Sequence, residues 1–107
     1  MLNDVAALAT GATYSTEPVP VGSVPAGILM VQPVIRCEHG YEVSAYSEGG
    51  DLLARACLTG SQLMLHVPFP AGIRAVRVEV ENITGCEEHP HTYEISLLPD
   101  EDAPHAA

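Results

Sequence analysis

The 107-residue chain has no lysine and no tryptophan, a single phenylalanine, and only four arginines against fourteen acidic residues. Each shortage removes something. Nucleic-acid binding needs cations that displace counterions from phosphates, and a chain of net charge −10 has almost none to give. An anionic membrane surface repels it for the same reason. No stretch approaches the roughly 20 apolar residues of a spanning helix. Met1-Leu2-Asn3-Asp4 lacks the cationic start and apolar run of a signal peptide, so the expectation is an intracellular protein with reduced thiols. Three cysteines, an odd number, do not make a disulfide framework. No ten-residue stretch has helical periodicity, which argues against a parallel βαβ architecture. The length is that of one domain, and with few aromatics its core must be built from Val, Leu, Ile and Ala.

What is present is a two-residue rhythm. Leu63, Leu65 and Val67 alternate with Met64 and His66, and Val76, Val78 and Val80 alternate with Arg77, Glu79 and Glu81. Alternation of this kind puts one apolar and one wetter face on a strand. Pro68-Phe69-Pro70-Ala71-Gly72 lies between the two runs and reads as the turn of an antiparallel hairpin. Tyr41, Val43 and Ala45 make another alternating run. Glu48-Gly49-Gly50-Asp51 is the strongest short hairpin signal, and it leads into Leu52–Leu58, with Leu52, Ala54, Ala56 and Leu58 on one face and Leu53, Arg55 and Cys57 on the other. Ile28–Val31 is almost continuously apolar, with a bend expected at Pro33. Tyr93, Ile95 and Leu97 close the series. Seven or eight short strands separated by turns predict an all-β fold, an antiparallel sandwich of jelly-roll or immunoglobulin-like type.

Residues 1–25 read as an extended N-terminal arm and proline strap, 26–98 as the sandwich, and 99–107 as an acidic flexible tail. One internal echo stands out. Cys37-Glu38-His39-Gly40-Tyr41-Glu42-Val43-Ser44 resembles Cys86 through Ser96, both acid/histidine loops entering a Tyr-Glu-aliphatic-Ser strand. It is consistent with pseudo-symmetry or with coincidence.

Chemistry-bearing residues are sparse. Cys37, His39, Cys86, His89 and His91 are the candidate metal ligands, but their spacing matches no strong zinc pattern, and two exposed sheet-end loops explain them equally well. A Cys37–Cys86 disulfide is the alternative, and Cys57 reads as a small mid-strand residue. There is no nucleophile elbow and no defensible Ser/His/Asp set, so an enzyme is not expected, and neither is a cofactor. His66 reads as solvent- or partner-facing. Glu79 and Glu81 beside Arg77 suggest a cross-strand ion-pair ladder rather than a catalytic carboxylate pair. Asp100-Glu101-Asp102 lacks the spacing of a calcium loop. Asn82-Ile83-Thr84 matches the glycosylation sequon, as expected by chance.

An Ala/Thr/Gly-rich start, a proline strap and a small acidic β-domain resemble the bacteriophage capsid decoration, or cement, proteins. That resemblance implies a structural protein on the virion surface, assembled in the host cytoplasm. Its partners would be major capsid subunits and copies of itself, a trimer by analogy. Docking would fall to Val5, Leu8 and Tyr14 of the arm, Val19 and Val21 of the strap, and Phe69 of the loop. Phe69 between two prolines suits either a rigid exposed anchor or a plug closing the sandwich end. The segment Leu63–Val78 also resembles the last hairpin of secreted accessory β-sandwiches, which keeps a ligand- or carbohydrate-binding module as the alternative. The absence of tryptophan for sugar stacking counts against it.

Overall fold

In the computed structural model, which describes residues 1–34, 40–59, 63–83 and 91–100, every regular element is a strand. They are β1 (Leu2–Leu8), β2 (Thr13–Ser15), β3 (Val19–Pro20), β4 (Ala26–Pro33), β5 (Gly40–Ser47), β6 (Leu52–Thr59), β7 (Leu63–Pro68), β8 (Ala75–Asn82) and β9 (His91–Pro99). The first sheet has the order β1-β9-β4-β7; the second has β2-β8-β5-β6, with β3 also pairing β8. All pairings are antiparallel.

The order follows from one turn. The Ser47 N–H bonds the Asp51 carbonyl and the Gly50 N–H bonds the Ser47 carbonyl, with Gly50 at φ 91°, a conformation that suits glycine. Outward from this tip the chain pairs in nested fashion: β5 with β6, β4 with β7, β2 and β3 with β8, and β1 with β9. The sequence is therefore one long hairpin folded at its middle and rolled into two layers, the winding of a jelly roll.

The winding corrects two expectations. The strands around Pro68–Gly72 are not neighbours, because β7 lies in the first sheet against β4 and β8 in the second against β5. Period two reports which face of a strand is buried, not which sheet the strand joins. Residues 1–25, expected as an arm and strap apart from the sandwich, supply β1, β2 and β3 and so belong to it. Alanines at positions 6 and 7 weaken the apolar alternation of β1, yet Leu2, Ala6 and Leu8 do face the core. Asp4 ties this edge across the layers: its carboxylate accepts from the Tyr14 hydroxyl (2.6 Å) and the Val5 N–H (2.8 Å). The Tyr14 bond holds the Asp4 carboxyl below the usual range, with the Val5 bond adding to it.

The core is dominated by β-branched and leucine side chains. Leu29, Val31, Val43, Val67, Val76, Val78, Val80, Ile95 and Leu97 are fully buried. The echoed segments occupy matching places in it. Tyr41 on β5 and Tyr93 on β9 meet across the layers with ring centroids 5.3 Å apart at 55°. In both copies the tyrosine and aliphatic residues point in, and the glutamate and serine point out. In β6 a register shift opposite Ala45 and Tyr46 inserts Leu53 as an extra residue. Leu53, Ala54 and Ala56 then face the core, and Leu52 is turned outward, against the expected phase.

Tyr41 gives the fold an alkaline limit. Its hydroxyl donates to the Val31 carbonyl (3.3 Å), and burial, with Tyr93 close by, pushes its phenol up to about 12. An unfolded tyrosine loses its proton near pH ~10, so between these values the folded chain holds a proton that the unfolded chain has released. This stabilisation is complete below pH ~10 and is lost as pH rises towards 12. Urea midpoints should therefore fall steadily above pH ~10, and Tyr41→Phe should flatten the fall.

Candidate functional site

The two outer surfaces of the sandwich differ in chemistry. The second sheet presents a polar face. Glu42, Ser44 and Tyr46 of β5 stand beside Arg77, Glu79 and Glu81 of β8 and beside Arg55 and Cys57 of β6. Arg55 lies over Ser44 and donates to its Oγ (3.3 Å) and to the Tyr46 hydroxyl (3.2 Å), with Glu42 3.6 Å away. These contacts, the Tyr46 bond foremost, raise the guanidinium pKa further. The Cys57 thiol donates to Glu42 Oε2 (3.3 Å), and that bond pushes its pKa up, away from reactivity. The ladder expected of Arg77 with Glu79 and Glu81 does not form. Arg77 sits 5.8 Å from the Tyr46 ring centroid, Glu79 accepts from Ser15 (3.3 Å), and Glu81 lies in register with Glu42. This is a solvated, polar face.

The outer face of the first sheet mixes apolar side chains with Asn3, Gln32, Thr92, Glu94 and Ser96. Among the described residues, seven large apolar side chains are exposed across the molecule: Met1, Val5, Val34, Leu52, Met64, Ile83 and Leu98. Val5 on β1, Met64 on β7 and Leu98 on β9 point outward from this sheet. Met1 and Val34 continue the outward positions of β1 and β4; the Val34 N–H bonds the Thr92 carbonyl. Half-buried Ile28 and Met30 fill the outward positions of β4 between them. Register places Leu98, Ile28 and His66 in one row across the sheet, and Asn3, Ser96, Met30 and Met64 in the next. Charge enters the face as well: exposed Glu94, midway along the inner strand β9, stands between Val5 and Gln32, and His66 is 3.6 Å from Asp100 at one end. The two ion pairs among the described residues, Arg55–Glu42 and His66–Asp100, are exposed and contribute little to stability.

Of the residues expected to dock, Val5 is on this face. Leu8, Val19, Val21 and Phe69 are core residues, 2–7% exposed, and Tyr14 is half-buried with its hydroxyl spent on Asp4. Phe69 is the end plug: its N–H bonds the Pro25 carbonyl (2.9 Å) and its ring lies over Gly27. Met64, Leu98, Ile28 and Met30 were missed by the sequence reading. A signal for them existed. The unbroken Ile28–Val31 run is apolar on both parities, a pattern of strands covered on both faces.

Of the metal candidates, Cys37, His39, Cys86 and His89 lie outside the described residues, as does the side chain of His91. Among the described residues, no group of three His, Cys, Asp or Glu side chains is placed to hold a metal ion. Asn82 of the sequon is fully buried; its Nδ2 donates to the Leu8 carbonyl (2.9 Å), so the folded chain does not present it for modification.

No protein-family model and no curated protein sequence matches the chain. The crystal structure of the SPBc2 prophage-derived protein YomS is similar to it. The TM-score is 0.46 and the identity 14%, over 91% of this chain and 96% of that one. At that score the likeness carries no functional argument.

Proposed function

We propose that this chain is a non-enzymatic structural protein that binds other protein subunits through the outer face of its first sheet, most concretely as an accessory or decoration protein of a bacteriophage capsid. The carrying observation is a group of apolar side chains on one face, where exposed Leu98 and Met64 stand in two adjacent rows with half-buried Ile28 and Met30, while exposed Val5 and Val34 lie beyond them beside Glu94 and Thr92. Scattered exposed apolar residues need no explanation; a contiguous patch marks a contact surface. Covering it removes apolar area from water at about 25 cal/mol per Å², a modest gain per copy that repetition on a lattice multiplies. The net charge of −10 keeps free copies soluble before they dock. Jelly-roll winding also occurs in capsid and lectin domains, and it supports the reading only as an analogy.

Quantitative mass spectrometry of particles purified from the organism that encodes the chain tests this. Many copies per particle are expected, with incorporation lost in Met64→Glu/Leu98→Glu. Particles that lack the protein, or that take up the double variant unchanged, contradict the reading.

A further inference from the structure

We infer that the open edge of β7 is a site of strand addition, taking an extended segment of another protein that is apolar with a basic residue at one end. The inference stands on the backbone of the first sheet and is independent of the docking face above. The Phe69 N–H bonds the Pro25 carbonyl on the β4 side. Backbone groups along an antiparallel strand alternate between its two sides, so Leu63, Leu65 and Val67 also bond β4. Met64, His66 and Pro68 turn their backbone to the opposite side, where no described strand lies. That side presents the N–H and C=O of Met64 and His66 and the C=O of Pro68, half a ladder that an extended peptide completes.

The other edges of the sandwich are guarded, and this one is not. Edges are blunted by inward charge, proline, bulges, charged side chains or short length. On β1, Asp4 shares the parity of core-facing Leu2, Ala6 and Leu8. The Val34 N–H bonds Thr92, which turns the Glu94 backbone towards β4, so the Val5 N–H opposite Glu94 faces the open side of β1. The Asp4 carboxylate takes that N–H (2.8 Å). Strands β2 and β3 have 3 and 2 residues. The Val21 N–H bonds Arg74 on the β8 side, so Pro20, with no N–H, stands at the open side of β3. Strand β6 has its bulge at Leu53 and a charge at Arg55. Along Leu63–Val67 of β7 there is no acid, arginine, bulge or proline; Pro68 comes only as the last residue. The same strand carries Met64, at 62% the most exposed large apolar side chain among the described residues.

The surroundings of the edge set the chemistry of the segment. On the inner side Leu65 is only half-buried, between buried Leu63 and Val67, so a residue added beside it is best apolar. On the outer side the same holds beside Met64. At the Pro68 end, Asp100 bonds Ala26, the register partner of Pro68, and stands 3.6 Å from His66. With a net charge of −10 behind it, this end favours lysine or arginine. A second copy is the poorer occupant. The chain has no lysine, its own Leu63–Pro68 has no arginine, and it brings a further −10 to the contact.

Amide NMR of the full chain, titrated with the end-capped peptide Lys-Val-Thr-Val-Val, tests this. Added antiparallel, its Lys lies beside Pro68, its Thr beside His66 and its last Val beside Met64, with the other two valines facing inward. Binding with a Kd of ~1 mM is expected. The Met64 and His66 amides should shift, and should exchange with deuterium about 10-fold more slowly in the saturated complex. N-methylation of the Thr and last Val nitrogens, which donate to β7, should abolish binding to the unaltered chain. His66→Pro deletes an N–H that makes no bond within the sheet, so circular dichroism should be unchanged while affinity falls about 10-fold or more. His66→Ala keeps that N–H and should change affinity by less than about 3-fold. The peptide with Glu in place of Lys should bind more weakly, most clearly at low salt. No binding up to ~10 mM peptide overturns the inference. So does binding that ignores N-methylation and His66→Pro, that prefers the Glu peptide, or whose shifts centre on β1 or β6. Protection of the Met64 and His66 amides on concentrating the chain alone makes the occupant a second copy and overturns it too. The docking reading fails separately. A chain that binds the peptide but is missing from particles removes docking alone, and one that enters particles but ignores the peptide removes strand addition alone.

Discussion

Phe69→Ala should lower stability by about 3–5 kcal/mol, the cost of deleting a buried aromatic and leaving its cavity. In a domain of this size that is roughly 15–30 °C in Tm. The argument is geometric. Phe69 is 5% exposed at the end of the sandwich, in the crossing between β7 and β8. Its ring fits there because position 27 has no side chain. A Cβ on Gly27 would stand 2.7 Å from Phe69 Cζ and 2.9 Å from Leu97 Cδ1. Gly27→Ala should therefore also destabilise, by about 1–3 kcal/mol, through overpacking. Combining the two should cost less than their sum, since the new methyl enters the space the ring leaves. Urea denaturation of the two single variants and the double variant measures all three quantities. A loss below about 1 kcal/mol for Phe69→Ala would mean that the ring is not the plug.

Asn82→Asp should be the more telling second variant, because its cost depends on pH. Asn82 is fully buried at the end of β8. Its backbone N–H bonds the Ala12 carbonyl, its carbonyl accepts from the Gly11 N–H, and its amide donates to the Leu8 carbonyl. One residue, through two backbone bonds and one side-chain bond, thus fastens the β1–β2 turn to the second sheet. A carboxylate there would be desolvated and would face the Leu8 carbonyl oxygen, which raises its folded pKa above the unfolded value of ~3.9. The folded variant then holds a proton that its unfolded form releases. Its deficit relative to the parent should be small below pH ~4 and should grow as pH rises. At pH ~7 the deficit should reach about 3 kcal/mol or more, the cost of an unpaired buried charge. Asn82→Ala should cost about 1–3 kcal/mol, with no such pH dependence. Chemical unfolding of parent and variants at pH ~4 and ~7 decides the sign. An Asn82→Asp deficit that shrinks as pH rises would contradict the assigned environment.

Much of the fold was legible because a strand's buried face follows from period two alone. Tyr41-Val43-Ala45, Val76-Val78-Val80 and Tyr93-Ile95-Leu97 all point inward as their spacing predicts, and Glu48–Asp51 turns where its glycines indicate. What period two cannot carry is sheet membership. The Pro68–Gly72 loop looks the same in a hairpin and in a crossing between layers, and only the nested pairing around Glu48–Asp51 separates them. A single bulge likewise separates exposed Leu52 from the face of Ala54 and Ala56 that its spacing predicts. The candidate site was less legible for a related reason. Lying in the N-terminal segment or a proline loop does not leave an apolar residue free to dock: Val5 is exposed, but Leu8, Val19, Val21 and Phe69 fill the core. The informative residues were those of apolar type at outward parity, Ile28, Met30, Met64 and Leu98, and their parity could be assigned a surface only once the sheets were assembled.

Whether one surface of this sandwich docks while the other stays wet can be read with its own side chains. Met64, 62% exposed, reports on the apolar face, and exposed Cys57 reports on the polar one. Peroxide oxidation and thiol alkylation, mapped by peptide mass spectrometry, compare dilute chains with the assembled form. Met64 should be oxidised readily when dilute and protected at least about 10-fold on assembly, with Cys57 alkylation unchanged in rate. Unchanged Met64 oxidation alongside protection of Cys57 would place the contact on the opposite sheet and contradict the account.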